Sequence, residues 1–419
     1  MNNAQRLQLG TLQFRRLAEY AWNKATGSAL PVRPYYASID VTYRCNLKCV
    51  HCSLWDRPEG EFEMSLEQMK DAVLKMKQWL KLPAIDILGG EAFLRRETME
   101  IIRFATEQGM VIHITTNGTM FTERIARELI ELQVHKIAIS LDGVRARTHD
   151  ATRGVEGAFR TTMKGVERLK RWKDTLGGST RIAIHTILDA STLNEIPSIL
   201  EWVYDCGLDG FHLVPLDQNV GGVDHGATRY HFEEGWFERN PLWIRDIATL
   251  ERTVDHIIGK KRDGYPVADP VTYLRDTIPY FRDPGGIQYR RPCRAGSELI
   301  KVTPRGEVTF CPYEPPVGDL KTSTFDDIWT SPEAAAARTK INACTKKCFI
   351  PFCAWNEGER VTRFVDQFIK RPNVGSGIVV QPHEDAPVAD GLPPVPHGHV
   401  AAEGQLIQIT RSPNAPPPQ

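Results

Sequence analysis

The chain has 419 residues, which is long enough for one large domain and a smaller one. Of these residues 41% are hydrophobic and 25% are charged, a composition typical of a globular protein. Lys and Arg together number 52, as do Asp and Glu, so no bulk charge attracts nucleic acid or an anionic membrane. No apolar run approaches the roughly 18 residues that span a bilayer, and residues 1–10 do not resemble a signal peptide. We therefore expect a cytoplasmic protein with no nucleic-acid partner and no transmembrane segment.

Residues 1–35 are predicted to form an N-terminal helix, and packing on the remaining fold is favoured over a partner or membrane helix. After them, short β-rich runs alternate with amphipathic helical patterns, which indicates a parallel sheet with right-handed crossovers. Ser65 and Gln68 form a predicted capping box at one helix start, and Gly109 and Gly207 are placed to end later helices. The predicted strands are 36–41, 84–88, 111–115, 136–140, 181–186 and 210–214.

Six such units are too few for a closed eight-fold barrel, so we predict an α/β fold built on a partial (β/α)6 TIM-like barrel. The barrel would occupy 36–245, followed by a connecting helical region at 246–292. A small α+β domain is predicted at 293–370, with a hairpin formed by 298–303 and 307–310. Residues 371–419 hold 10 of the 28 prolines and are predicted to form a disordered tail.

Nine cysteines are unusual for a chain of this kind, and their clustering favours metal ligation over disulfides. Cys45, Cys49 and Cys52 follow the first predicted strand with C-x3-C-x2-C spacing, at the strand end where a parallel barrel holds its chemistry. Three thiolates on one loop would leave one iron of a four-iron cube open. Zinc is the alternative from spacing alone, although its fourth ligand would be His51, which lies between two of the cysteines.

This segment resembles the signature of the radical S-adenosylmethionine (SAM) superfamily, in which an aromatic residue or His usually occupies the position of His51. Further motifs follow in the family's order at later strand ends, with Ala92 departing from the usual Pro. The resemblance implies a SAM-binding 4Fe–4S cluster on Cys45, Cys49 and Cys52. It also implies SAM contacts from Gly89, Gly90 and Glu91 to the methionyl amine, from Thr116 and Asn117 to the ribose, from Ser140 and Arg153 to the carboxylate, and from Val214 on the adenine side.

Taken singly, these motifs are also typical of plain turns and strand ends, and Arg153 of a solvated surface charge. Glycine permits close backbone approach to a ligand, a carboxylate such as Glu91 can satisfy an ammonium, and an Arg fork can satisfy a carboxylate. Because all of them lie at strand ends after the cysteine loop, together they favour a SAM site.

Five further cysteines surround the predicted hairpin and a short helical stretch at 325–329, a layout that resembles the auxiliary-cluster extension called SPASM or its shortened form, twitch. Because no cysteine follows Cys353, one auxiliary 4Fe–4S cluster is predicted rather than two. The favoured ligands are Cys293, Cys311, Cys348 and Cys353, and Cys344 is the likeliest substitute for one of them. A zinc site on the same thiolates is the alternative. Cys206 is predicted to be a buried thiol at a helix end.

The resemblance implies an oxidoreductase-like enzyme that reductively cleaves SAM with an electron from flavodoxin or ferredoxin. The 5′-deoxyadenosyl radical would then remove hydrogen from a substrate C–H bond, with the auxiliary cluster accepting an electron or anchoring the substrate. A small molecule such as an alcohol or sugar alcohol is expected, because about 35 residues precede the first strand and leader-binding domains of peptide maturases are larger. Maturation of a ribosomally made peptide is the alternative.

Other functions are less consistent with the sequence. Pro312 follows Cys311 at the position where sulfatase-maturing relatives carry an Asp that acts as a base, which argues against that activity. A non-catalytic iron–sulfur or zinc electron-transfer protein would leave the SAM motifs without a purpose. No catalytic acid or base is assigned, although residues after the sixth strand either border a substrate pocket or pack as an ordinary loop, namely Asp217, His225, His231 and Trp236.

Overall fold

The computed structural model describes residues 36–56, 63–80, 84–218, 232–288, 293, 295–297 and 299–349, with single positions 11, 14, 18, 22, 25 and 34. The five positions from 11 to 25 are helical and exposed. His225, His231, Cys353 and the predicted tail at 371–419 lie outside the described residues, so the predictions made for them remain predictions.

Eight of the nine described strands lie where the sequence pattern predicts them, with ends that differ by at most two residues, whereas the short strand Gly318–Asp319 is not predicted. The strands are β1 (Tyr36–Asp40), β2 (Ala84–Leu88), β3 (Val111–Thr116), β4 (Lys136–Ser140), β5 (Arg181–Leu188), β6 (Gly210–Pro215), β7 (Leu299–Val302), β8 (Glu307–Thr309) and β9 (Gly318–Asp319). The described strands form one sheet in the order β6-β5-β4-β3-β2-β1-β7-β8-β9. Neighbours from β6 to β7 are parallel, which confirms the predicted α/β fold and partial barrel.

Helices separate the parallel strands, as right-handed crossovers require. Ser65 and Gln68 form the predicted capping box, with the Gln68 backbone N–H 3.3 Å from Ser65 Oγ and the Ser65 N–H 2.8 Å from Gln68 Oε1. The α-helices are α1 (Leu66–Leu80), α2 (Thr98–Glu107), α3 (Glu123–Glu131), α4 (Ala146–Arg153), α5 (Ala158–Leu176), α6 (Ile196–Asp205), α7 (Trp236–Arg239), α8 (Ile247–Arg262), α9 (Val271–Arg282), α10 (Pro284–Gln288), α11 (Phe325–Thr330) and α12 (Pro332–Asn342).

Side chains alternate across each strand, and this alternation separates the core from the site. Ile39, Ile87 and Ile139 are fully buried in the hydrophobic core. The positions of opposite parity include Asp40 and Ser140, which line a cavity at the carboxyl ends of the strands. Within the described residues, no helix is both long and apolar enough to cross a membrane.

The C-terminal hairpin continues the barrel sheet, which the sequence pattern does not predict. β7 pairs in parallel with β1, with Tyr36 opposite Leu299 and Ile39 opposite Val302. Nearby, the Trp79 ring of α1 stacks on Phe325 of α11, with ring centroids 4.9 Å apart. The sheet and the core therefore continue from the barrel strands into the C-terminal hairpin, and this brings the segment after β8 to the cavity.

Candidate active site

A cavity of about 330 Å³ lies at the carboxyl ends of the barrel strands. It is lined by Cys45, Cys49 and Cys52, and also by Cys311 and Pro312 from the segment after β8. Most of the residues predicted to contact SAM line the same cavity, namely Gly89, Gly90, Thr116, Asn117, Ser140, Arg153 and Val214.

The cysteine loop is held by the end of α4. The backbone N–H groups of Lys48 and Val50 donate to the carbonyls of Arg153 and Thr152, each at 3.0 Å. Burial raises the pKa of the Cys45 thiol to about 12, so this thiol becomes a thiolate only when a cation compensates its charge. A loop of three thiols that opens on a cavity fits an iron–sulfur cluster with one open position.

Gly89 and Gly90 bring the turn after β2 against the first residues of the cysteine loop. Gly89 has φ +152°, and a Cβ there would lie 2.4 Å from the Thr42 carbonyl oxygen; a Cβ on Gly90 would lie 2.4 Å from that of Arg44. The Gly90 N–H also donates to the Thr42 carbonyl at 2.9 Å. Glycine is therefore required here for close packing of two loops as well as for access to the cavity.

Glu91 lies in the turn after β2. Its side chain is fully buried and does not line the cavity. Its carboxylate accepts hydrogen bonds from Thr116 Oγ1 at 2.9 Å and from the backbone N–H groups of Asn117 at 2.8 Å and Phe93 at 3.2 Å. Burial raises the pKa of Glu91. The Glu91 carboxylate therefore positions the loop after β3, and the predicted contact of the Gly89-Gly90-Glu91 turn with SAM stays a prediction.

Arg153 forms a buried ion pair, so it is not a solvated surface charge. Its Nη2 lies 2.7 Å from Asp142 Oδ2, and the two side chains are 7% and 0% exposed. Its Nη1 donates to Cys49 Sγ at 3.6 Å. Burial and the Arg153 cation together hold the pKa values of His51 and His149 well below their usual range, so both rings are neutral near pH 7. Arg153 therefore supplies the positive charge beside the cysteine loop.

We expect Gly154→Ala to disturb the cysteine loop. Gly154 caps α4 at φ +67°, and a Cβ there would lie 2.2 Å from the Lys48 carbonyl oxygen. Gly177 caps α5 at φ +61° with no atom within 4 Å of its Cβ position, which makes Gly177→Ala a matched control. Both variants carry the left-handed backbone penalty of about 1 kcal/mol, but Gly154→Ala alone should also lower the iron content after reconstitution. Equal iron contents in the two variants would contradict this role.

A second expected result concerns Asp189, which follows β5. Burial raises its pKa from 3.8 to about 6, although Ser191 and Thr192 donate hydrogen bonds to it. A raised folded-state pKa means that its stabilising contribution is present at low pH and is lost as pH rises through about 6. Relative to Asp189→Asn, the wild-type unfolding free energy should therefore fall by on the order of 3 kcal/mol between about pH 4 and 7. Urea unfolding at both pH values measures this difference, and a rise would contradict it.

The C-terminal cysteines gather after β8. Burial raises the pKa of Cys311 to about 12 and that of Cys348 well above its usual range, and neighbouring thiols add to both shifts. The thiols that contribute electrostatically to these shifts are Cys293, Cys311, Cys344 and Cys348. Cys344, the predicted substitute ligand, therefore lies close to the other three. In the part of the chain that the structure describes, no three His, Cys, Asp or Glu side chains are grouped as a single metal ion requires.

Asp217 and Trp236, two residues of the predicted loop after β6, are separated by the structure. Asp217 is buried near the C-terminal cysteines and accepts hydrogen bonds from Tyr313 Oη at 2.5 Å and the Phe349 N–H at 3.1 Å. Trp236 is fully buried in the hydrophobic core. Cys206 ends α6 and is also fully buried, as predicted.

The cavity is also lined by polar residues that the motifs do not predict, among them Asp40, His185 and Lys301. Asp40 and His185 lie near the carboxyl ends of predicted strands, and that position was an available signal. Lys301 lies within a predicted hairpin strand, where nothing local indicates that it faces the barrel.

Comparison with known proteins assigns the family. Residues 39–203 match the model of the radical SAM superfamily, and residues 293–351 match that of the iron–sulfur cluster-binding domain SPASM. The mycofactocin maturase MftC of Mycobacterium ulcerans (strain Agy99) is 30% identical over 303 residues, 71% of this chain and 74% of that protein. The chain belongs to the radical SAM superfamily. The predicted enzyme class and its cofactors, SAM and 4Fe–4S clusters, are thereby confirmed.

Other radical SAM proteins extend this similarity. The AdoMet-dependent heme synthase of Methanosarcina barkeri (strain Fusaro / DSM 804) is 27% identical over 316 residues, 73% of this chain and 84% of that protein. The fold resembles Streptococcus suis SuiB bound to its precursor peptide SuiA, with a TM-score of 0.56 and 13% identity, covering 78% of this chain and 70% of that one. At this identity the structural likeness concerns the radical SAM fold alone.

Proposed function

We propose that this radical SAM enzyme removes a hydrogen atom from a C–H bond of a small molecule bound in the cavity, and so oxidises or otherwise modifies it. The cavity itself supports the proposal, because Cys45, Cys49, Cys52 and Cys311 all line it. Thiols of both cysteine groups therefore face one space, in which radical formation and electron acceptance can act on the same substrate.

The cavity residues have distinct roles in this proposal. Cys45, Cys49 and Cys52 would hold the cluster that binds SAM, and the cavity-lining residues Gly89, Gly90, Thr116, Asn117, Ser140 and Val214 would contact SAM. When bound, the cluster and SAM supply a 5′-deoxyadenosyl radical, with the electron coming from flavodoxin or ferredoxin. The auxiliary cluster would be held by four of the five C-terminal cysteines, with Cys344 and Cys353 as alternatives beside Cys293, Cys311 and Cys348.

A small molecule is favoured over a peptide as the substrate. The cavity of about 330 Å³ would also hold SAM, so the space left beside SAM suits a small substrate. Peptide maturation is the second candidate, and the similarity to a mycofactocin maturase favours it.

Anaerobic reconstitution, followed by SAM and dithionite, tests the proposal. We expect near eight irons per chain and formation of 5′-deoxyadenosine, since two cubes would be present. A fully loaded protein that forms no 5′-deoxyadenosine would contradict the enzymatic proposal. If a short peptide encoded beside the gene stimulated product formation and small alcohols did not, the maturase candidate would replace the small-molecule one.

A further inference from the structure

We propose that Asp40 accepts the hydroxyl proton of an alcohol substrate, with Lys301 holding the Asp40 carboxylate in position. This inference rests on the proposed function and names its substrate class, a carbinol (H–C–O–H) group, and the residue that receives the proton.

Asp40 is a buried carboxylate with one oxygen occupied. Its side chain is 2% exposed, and its Oδ2 lies 2.8 Å from the Lys301 Nζ. Its Oδ1 is buried and has no hydrogen-bond partner among the described residues. Both residues line the cavity. Because a buried acceptor without a donor is unfavourable, a hydroxyl donor from a ligand in the cavity would stabilise Oδ1.

The sheet explains why this pair faces the substrate space. Ser38 is opposite Lys301 in the β1–β7 register, so Asp40, two residues further along β1, lies on the same face. Asp40 also lies five residues before Cys45, while β7 leads through β8 to Cys311. Asp40 and Lys301 thus lie on adjacent strands, of which one leads to Cys45 and the other leads through β8 to Cys311.

The charge of Lys301 determines which kind of hydrogen-bond donor a substrate can present to Asp40. The Lys301 ammonium already balances the Asp40 carboxylate, so a substrate ammonium would bring a second cation beside the first. A neutral hydroxyl donates a hydrogen bond without that repulsion. Asp40 is also the one carboxylate among the described residues that line the cavity, whereas Pro312, beside Cys311, cannot accept a proton.

The proposed oxidation balances in atoms and electrons. The carbinol carbon loses a hydrogen atom to the 5′-deoxyadenosyl radical, which becomes 5′-deoxyadenosine. The hydroxyl O–H bond then breaks as its proton moves to Asp40 Oδ1, and the C=O bond forms. The remaining electron reduces the auxiliary iron–sulfur cluster by one electron. The alcohol is thereby converted to a carbonyl compound.

The test uses the fully loaded enzyme with SAM, dithionite and a panel of carbon-deuterated polyols: glycerol, D-sorbitol and myo-inositol. With the wild type, we expect at least one polyol to deliver deuterium to 5′-deoxyadenosine and to yield a carbonyl product. Asp40→Asn keeps the side-chain shape but cannot take the proton, so carbonyl formation should fall by about a hundredfold. Its iron content after reconstitution should equal that of the wild type.

Asp86→Asn is the matched control, because Asp86 is buried on the adjacent strand β2 but does not line the cavity. It should retain carbonyl formation. Thermal unfolding distinguishes a structural role of Asp40 from a catalytic one. If Asp40→Asn unfolded at a much lower temperature than both the wild type and Asp86→Asn, the ion pair would be structural and the inference would be overturned. No deuterium transfer from any polyol, in a wild type that still forms 5′-deoxyadenosine, would also overturn it and leave the proposed function standing. Absence of 5′-deoxyadenosine from the wild type would instead refute the proposed function.

Discussion

Replacing Cys45, Cys49 and Cys52 together with alanine is expected to remove roughly half of the bound iron and all formation of 5′-deoxyadenosine. The three thiols lie on one loop at the cavity, and no other described cysteine except Cys311 lines it. Iron and sulfide analysis, together with electron paramagnetic resonance of the reduced protein, measures the loss. The signal that remains should belong to the C-terminal cluster.

Cys206→Ala is the matched control for the triple variant. Cys206 is fully buried at the end of α6 and does not line the cavity, so its removal should leave the iron content and 5′-deoxyadenosine unchanged. A triple variant that kept its full iron content, or still cleaved SAM, would show that these cysteines do not hold the SAM-binding cluster.

Arg153→Met is expected to lower the free energy of unfolding by roughly 3–5 kcal/mol, because it leaves a buried carboxylate without its counter-ion. Asp142 is 0% exposed, and its pKa is raised by burial even with Arg153 beside it. The variant also loses the donor to Cys49 Sγ, so its iron content after reconstitution should fall. Denaturant unfolding and iron analysis measure the two effects.

Two further variants distinguish this pair from an ordinary ion pair. Adding Asp142→Asn to Arg153→Met should restore part of the stability, since the uncompensated charge is then removed. Arg282 pairs with Glu251 at 2.6 Å on the surface, with side chains 58% and 45% exposed. Arg282→Met should therefore cost no more than about 1 kcal/mol. If Arg153→Met cost as little as Arg282→Met, the buried pair would not support the cysteine loop.

Local patterns in the sequence determine much of this fold. Apolar runs such as 84–88 and 136–140 predict the strands because both faces of a parallel sheet are buried. Ser65 and Gln68 predict a helix start because a capping box is formed by residues three apart. Likewise, Cys45, Cys49 and Cys52 reveal a cluster loop because their spacing is a property of one short segment. The family and its cofactors follow from such local signals.

Contacts between distant segments depend on the order of strands in the sheet, which local pattern does not contain. The sequence does not predict that the Glu91 carboxylate accepts hydrogen bonds from the loop after β3, or that Arg153 forms an ion pair with Asp142. It also pairs Asp40 with Lys301, because β7 lies beside β1. The sequence by itself therefore determined the chemistry that the chain carries, namely a cysteine loop on a partial barrel with a second group of cysteines. Only the tertiary structure decided which charges meet and that Cys311 faces the same cavity, because burial and pairing arise when residues far apart in the chain are packed together.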